Sequence, residues 1–128
     1  MSLRNPYASF LDSLEKPARY IGGEHFIIQK NWDQMISKVA LCFPDTYEIG
    51  MSHLGFKILY EEINKHESMC AERCFAPWID MEKEMREREL PLVTLESFRP
   101  LSDFHVVGFS LQYEMSYSNI LNMLDLGG

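Results

Sequence analysis

No stretch of this 128-residue chain approaches the roughly 18 consecutive apolar residues that a membrane span needs, and its start carries no secretory apolar core. It has no run of lysine or arginine. With 12 basic against 19 acidic residues, a formal net charge of -7 and a pI near 5.0, the composition argues against a general nucleic-acid or membrane-surface binder. Cysteine is scarce: Cys42, Cys70 and Cys74 cannot pair completely, and that usage suits a reducing, cytoplasmic compartment. There is no Gly-x-Gly-x-x-Gly and no Walker sequence, which weakens a free-standing nucleotide binder. Repeats and low-complexity tracts are also missing. What remains is a chain of 46% hydrophobic residues, enough apolar mass for one core.

The stretch VALCFPDTYEIGMSHLG, residues 39–55, organises the rest. Residues 39–43 are an apolar, partly β-branched run that reads as a buried strand, ended by Pro44 and Asp45. A polar loop with Gly50 follows, Ser52 stands where a helix N-cap belongs, and Leu54, Ile58, Leu59 and Ile63 keep helical spacing. Strand, loop and helix make the first half of a βαβ unit. The loop beyond a strand's carboxyl end is where open parallel sheets hold ligands.

Ahead of this unit, Tyr7, Phe10, Leu11 and Leu14 predict a short amphipathic helix over 6–15, stopped by Pro17. Gly22 and Gly23 mark a turn, and residues 25–29 form a weak edge strand. The arm, 1–37, is too small to fold alone and is expected to pack on a body formed by 38–128; Arg19 and Arg99 are read as pinning loops. Further on, 69–75 (MCAERCF) reads as a second strand, and a helix opened by Ala76, Pro77 and Trp78 buries Trp78, Met81 and Met85. Residues 92–95 are a short strand candidate. Residues 105–111 (HVVGFSL) suit a strand covered on both faces, and a last helix from Ser116 buries Tyr117, Ile120, Leu121 and Leu124 before Gly127 and Gly128 cap it. This alternation implies a parallel sheet with right-handed crossovers, and a chain ending on a helix cap reads as the front part of something longer.

The segments KPARYIGGE, FPDTYEIGMSHLGFKILY, AERCFAPWIDME and VVGFSLQYEMSYSNILNMLDL resemble the N-terminal region of a family of large radical S-adenosylmethionine (SAM) proteins. Members carry a cobalamin-binding-like domain ahead of the radical barrel. The resemblance implies an α/β fold, a Rossmann- or flavodoxin-like parallel sheet flanked by helices, incomplete in its later strands. It implies a downstream radical SAM barrel as partner. S-adenosylmethionine and a four-iron four-sulfur cluster belong to that downstream part, and cobalamin is the cofactor implied for this one. Two roles stay open: positioning a corrinoid or other ligand at the sheet's carboxyl edge, or serving as an interaction or substrate-access domain without cofactor.

In a flavodoxin-like order the first strand neighbours the HVVGFSL strand, with a crevice between their carboxyl ends. That order sets Asp45, Tyr47, Glu48, Gly50 and His53 opposite Ser110, Gln112, Tyr113 and Glu114, and Gly50 and Gly55 would let a ligand approach the backbone. Ser110 matches a serine that such domains carry after their third strand. The Asp-x-His-x-x-Gly motif of histidine-ligated cobalamin domains is absent, because Thr46 and Tyr47 follow Asp45. No metal site is specified by the spacing of Asp45, Glu48, His53 and Glu114, and no residue is assigned to catalysis. Cys70-x-x-x-Cys74 begins like a radical-cluster motif, but Pro77 stands where the third cysteine belongs. The fragment is also expected to self-associate, by pairing through an exposed strand edge or by exchange of the N-terminal arm.

Overall fold

The computed structural model describes residues 5–14, 16, 19–20, 30–51, 53–111 and 116–128. Three parallel strands, β1 (Ser37–Phe43), β2 (Met69–Phe75) and β3 (Val106–Phe109), lie in the order β2-β1-β3. Four helices accompany them: α1 (Tyr47–Met51), α2 (Leu54–Asn64), α3 (Ile79–Glu87) and α4 (Ser116–Leu126). The apolar run of β1 is central and buried from Val39 onward, as its composition demands. Side chains alternate across it. Val39, Leu41 and Phe43 meet Phe56 and Tyr60 of α2, while Ala40 and Cys42 meet Met81 and Met85 of α3 and Met123 of α4. Because the chain leaves β1 first for β2 and then crosses back to β3, α2 and α3 fall on opposite faces, and the switch point lies between β1 and β3. No helix among the described residues is long and apolar enough to cross a membrane.

The sequence expectations fail mainly in which way elements face. Residues 6–15 are not an α-helix. Tight turns link Phe10 N to Tyr7 O and Ser13 N to Phe10 O, ending in a 3-10 turn at Leu11–Ser13. Asn5 Oδ1 accepts from Tyr7 N and Ser13 Oγ donates to Phe10 O, so side chains compete for the backbone groups a helix would use. Tyr7, Phe10 and Leu14 are nonetheless buried in the main cluster, and the Tyr7 hydroxyl donates to Pro91 O and accepts from Val93 N. Pro17, Gly22, Gly23, residues 25–29 and Ser52 lie outside the described residues.

Helix α2 is capped by His53, whose Nδ1 accepts from Phe56 N at 3.1 Å. It buries Phe56, Tyr60 and Asn64, and leaves Leu54 (69%), Ile58 and Leu59 exposed. Two things fix this roll: Phe56 packs between the rings of Phe43 and Phe75, and the Asn64 amide bonds both N and O of Ala71 on β2. Met81 and Met85 of α3 are fully buried as expected, but Trp78, its N-cap residue, is half exposed. Helix α4 turns Met123 and Leu126 inward and leaves Tyr117, Leu121 (69%) and Leu124 exposed. Here polar ties decide, because Arg86 of α3 holds Asn122 and Asp125, and Asn119 Nδ2 donates to Pro44 O.

Residues 92–95 are buried but form no strand beyond one bridge, Val93 to Pro100. They close the outer edge of β2 by other means. Leu95 N donates to Arg73 O, and the Glu96 carboxylate accepts from Arg73 N and Nε. Strand β3 is not covered on both faces: Val106 is 53% exposed, and nothing lies within 4 Å of where a Cβ on Gly108 would stand.

Candidate functional site

Proline after β1 breaks the ladder, and the chain turns at the sheet's carboxyl edge. Asp45 Oδ1 accepts from Thr46 N at 2.7 Å, and Asp45 O accepts from Ala76 N at 2.9 Å, which joins the loop after β1 to the loop after β2. Between these loops, the start of α3 and the flank of α4 lies a cavity of about 170 Å³. Its polar lining is Asp45, Thr46, Glu82, Asn119 and Asn122. Asp45 has no cationic partner among the described residues, whereas Glu82 is paired with Arg86 at 3.2 Å. Thr46 is only 7% exposed, and its hydroxyl has no hydrogen-bond partner among the described residues. Pro77, Trp78 and Ile79 supply an apolar wall.

Of the residues expected at the crevice, Asp45 alone lines this cavity. Tyr47 turns away, edge-on to Phe75 at 5.5 Å, beside a cavity of about 20 Å³ that also touches Arg19 and Tyr20. Glu48 binds Arg19 Nε through both oxygens at 3.0 Å and Lys16 at 3.6 Å. Slight burial opposes ionisation, but its own backbone N–H and Arg19 hold the Glu48 carboxyl below the ordinary range. Arg19 also lies over the Trp78 ring, so it ties the arm to both loops; Arg99 instead covers Trp32 at 4.2 Å. Gly50 is buried, and a Cβ there would stand 2.2 Å from the Phe75 ring. Gly55 is exposed, and a Cβ there would meet only the His53 ring, at 3.2 Å. Ser110 N donates to Cys42 O, extending the β1–β3 pairing by one residue. Gln112, Tyr113 and Glu114 lie outside the described residues.

Sequence reasoning missed Thr46, Glu82, Asn119 and Asn122. The one available signal was the asparagine pair, whose i, i+3 spacing sets both side chains on one flank of a helix.

Among the described residues, His53 is not placed as a ligand for a corrinoid's metal. His53 spends Nδ1 on the α2 cap, and its ring lies 5.3 Å from that of Phe43. The cavity is below the roughly 300–1,000 Å³ of pockets for drug-sized ligands. No group of three His, Cys, Asp or Glu side chains suited to a metal ion occurs among the described residues.

The cysteines sit on strands, buried. Cys70 and Cys74 are four residues apart on β2, which separates them by about 13 Å at the usual rise of a strand. Hydrogen bonding to Cys42 and burial raise the Cys74 thiol, and burial with Glu72 nearby raises Cys70. Anaerobic reconstitution with iron and sulfide is therefore expected to give no stable four-iron cluster. A stoichiometric cluster spectrum that disappears in Cys70→Ala would show otherwise.

Among known proteins, a family model described as "Radical SAM proteins, N-terminal" matches residues 55–128, more than half of the chain. No curated protein and no solved structure matches it.

Proposed function

The chain belongs to the family of radical SAM protein N-terminal regions, and on that premise we propose that it is a docking module, through which the radical SAM barrel of the same protein is seated and its access governed. One observation carries this reading: exposed apolar side chains of α4 and α2 border the open edge of β3. The order β2-β1-β3 leaves the outer edge of β3 without a strand among the described residues. Helix α4 directs Asn122 and Asp125 toward α3, so helical periodicity sets Tyr117, Leu121 and Leu124 on the flank away from α3. Helix α2 directs Asn64 toward β2, so Leu59 falls on the far flank and Ile58 points outermost. A bare strand edge bordered by apolar side chains on both faces suits a neighbour that adds a strand and covers the helices.

Hydrogen exchange on the intact radical SAM protein tests the reading. Outward-facing β3 amides and the α4 backbone should exchange at least about tenfold more slowly there than in residues 1–128 alone. Leu121→Glu with Leu124→Glu should remove that difference. Equal exchange in the intact protein and in residues 1–128 would refute docking through this side. Absorption spectra with added hydroxocobalamin separate the competing role, since a stoichiometric corrinoid complex of the intact protein would restore corrinoid positioning.

A further inference from the structure

The cavity at the carboxyl edge has a lining that docking through β3 does not use. We infer that it is a binding site for a primary ammonium group on a short aliphatic stem. Three features select that chemistry. Asp45 brings a carboxylate with no cation against it among the described residues, one oxygen being committed to Thr46 N. The Thr46 hydroxyl, on a residue only 7% exposed, has no partner there and borders the same space. Asn119 donates its amide to Pro44 O, which leaves its carbonyl oxygen as a further acceptor. An ammonium group has three donors and no acceptor, which matches a carboxylate, a hydroxyl and an amide oxygen.

The alternatives fit less well. An anion would face Asp45 and Glu82 together. A hard divalent cation takes six or more oxygen ligands, mostly charged, and the described residues offer no such group of carboxylates. Pro77 and Ile79 make one wall apolar, so the part of the ligand behind the charged head is aliphatic, and about 170 Å³ limits it to a short stem. A free amine and a lysine side chain share this chemistry.

Titration of the ¹⁵N-labelled chain with propylammonium is the test, followed at the Trp78 indole and at the Asn119 and Asn122 side-chain amides. Saturable shifts are expected, with affinity about tenfold above that for propanol, which has the same stem without the charge. Asp45→Asn keeps an oxygen for Thr46 N and should weaken binding about tenfold while spectral dispersion persists. Thr46→Val, near-isosteric, should weaken it severalfold without disturbing the fold. Nα-acetyl-lysine amide forms the second arm. If it binds tighter than propylammonium, the natural ligand is a partner's lysine; if weaker, a free amine. Equal affinity for propylammonium and propanol, unchanged binding in Asp45→Asn, or no saturable shift would each overturn the assignment. None of these outcomes bears on exchange at β3, so the two proposals stand or fall separately.

Discussion

Replacing Glu96 with alanine is expected to cost the protein about 3–5 kcal/mol of stability, because it takes the paired carboxylate away from a buried guanidinium. Arg73 and Glu96 are both nearly inaccessible, and Glu96 accepts from Arg73 Nε at 2.7 Å as well as from Arg73 N. The guanidinium is held further by Met51 Sδ at 3.1 Å and by the Tyr60 ring at 4.9 Å, neither of which replaces a carboxylate. Arginine cannot escape by losing its proton. Removing both charges, in Arg73→Met with Glu96→Leu, should cost less than Glu96→Ala alone. Burial outweighs the pull of Arg73 and pushes the Glu96 carboxyl up to about 7, from an ordinary value of 4.5. The folded protein thus holds this proton more tightly than the unfolded chain. The stability so gained is complete below the ordinary value and is lost as pH rises through 7. Glu96→Gln retains an acceptor oxygen but cannot titrate, so relative to wild type it should gain up to about 3 kcal/mol between about pH 4.5 and about pH 8. Urea unfolding across that range measures it, and parallel pH curves for the two proteins would contradict the assignment.

Gly50→Ala is expected to destabilise by about 2–3 kcal/mol, although alanine favours helix over glycine by about 1 kcal/mol. The new methyl would stand 2.2 and 2.4 Å from the Phe75 ring and 3.3 Å from the Phe43 Cβ, all in the packed interior. Phe75 cannot swing aside, because Tyr47 and Phe56 pack against it. Trimming the obstacle, with Phe75→Leu added to Gly50→Ala, should therefore cost less than the sum of the two single changes. Gly55→Ala serves as the control: it is exposed and should stay within about 0.5 kcal/mol of wild type. A Gly50→Ala protein as stable as wild type would mean that α1 shifts freely off the sheet.

The strands were legible because a buried β-strand announces itself by composition. β2 has the bounds its sequence run suggested, and β1 contains the whole expected run of 39–43. The parallel pairing followed from the alternation of elements, and the neighbouring of β1 and β3 from the flavodoxin-like order expected of the fold. Facing was legible in α3, where Met81 and Met85 are buried as expected, but not in α2 or α4. In α2 and α4 the most regular apolar stripe points outward, because periodicity identifies a stripe without saying what lies opposite it. Asn64 and Asn122, polar residues with no hydrophobic signal, decide the roll through hydrogen bonds to β2 and α3. The lining of the carboxyl-edge cavity was legible at Asp45 alone, for the same reason. Asp45 stands out in a loop after a strand, but Glu82, Asn119 and Asn122 come from helices whose relative placement no local pattern contains. The charges inside MCAERCF were the available hint of an ionic interior, since Glu72 and Arg73 occupy a strand that is otherwise apolar.

The closure of β2 by residues 92–96 makes the sheet one-ended. Leu95 N satisfies Arg73 O and the Glu96 carboxylate takes Arg73 N, so an incoming strand finds no ladder to join on that side. Growth is left to β3. Two copies meeting there would each occupy the other's open edge, and no open strand edge among the described residues would remain for a third. Any edge-to-edge association through the described strands would therefore terminate at a pair, and a filament built by strand addition would require the Arg73–Glu96 clasp to open first.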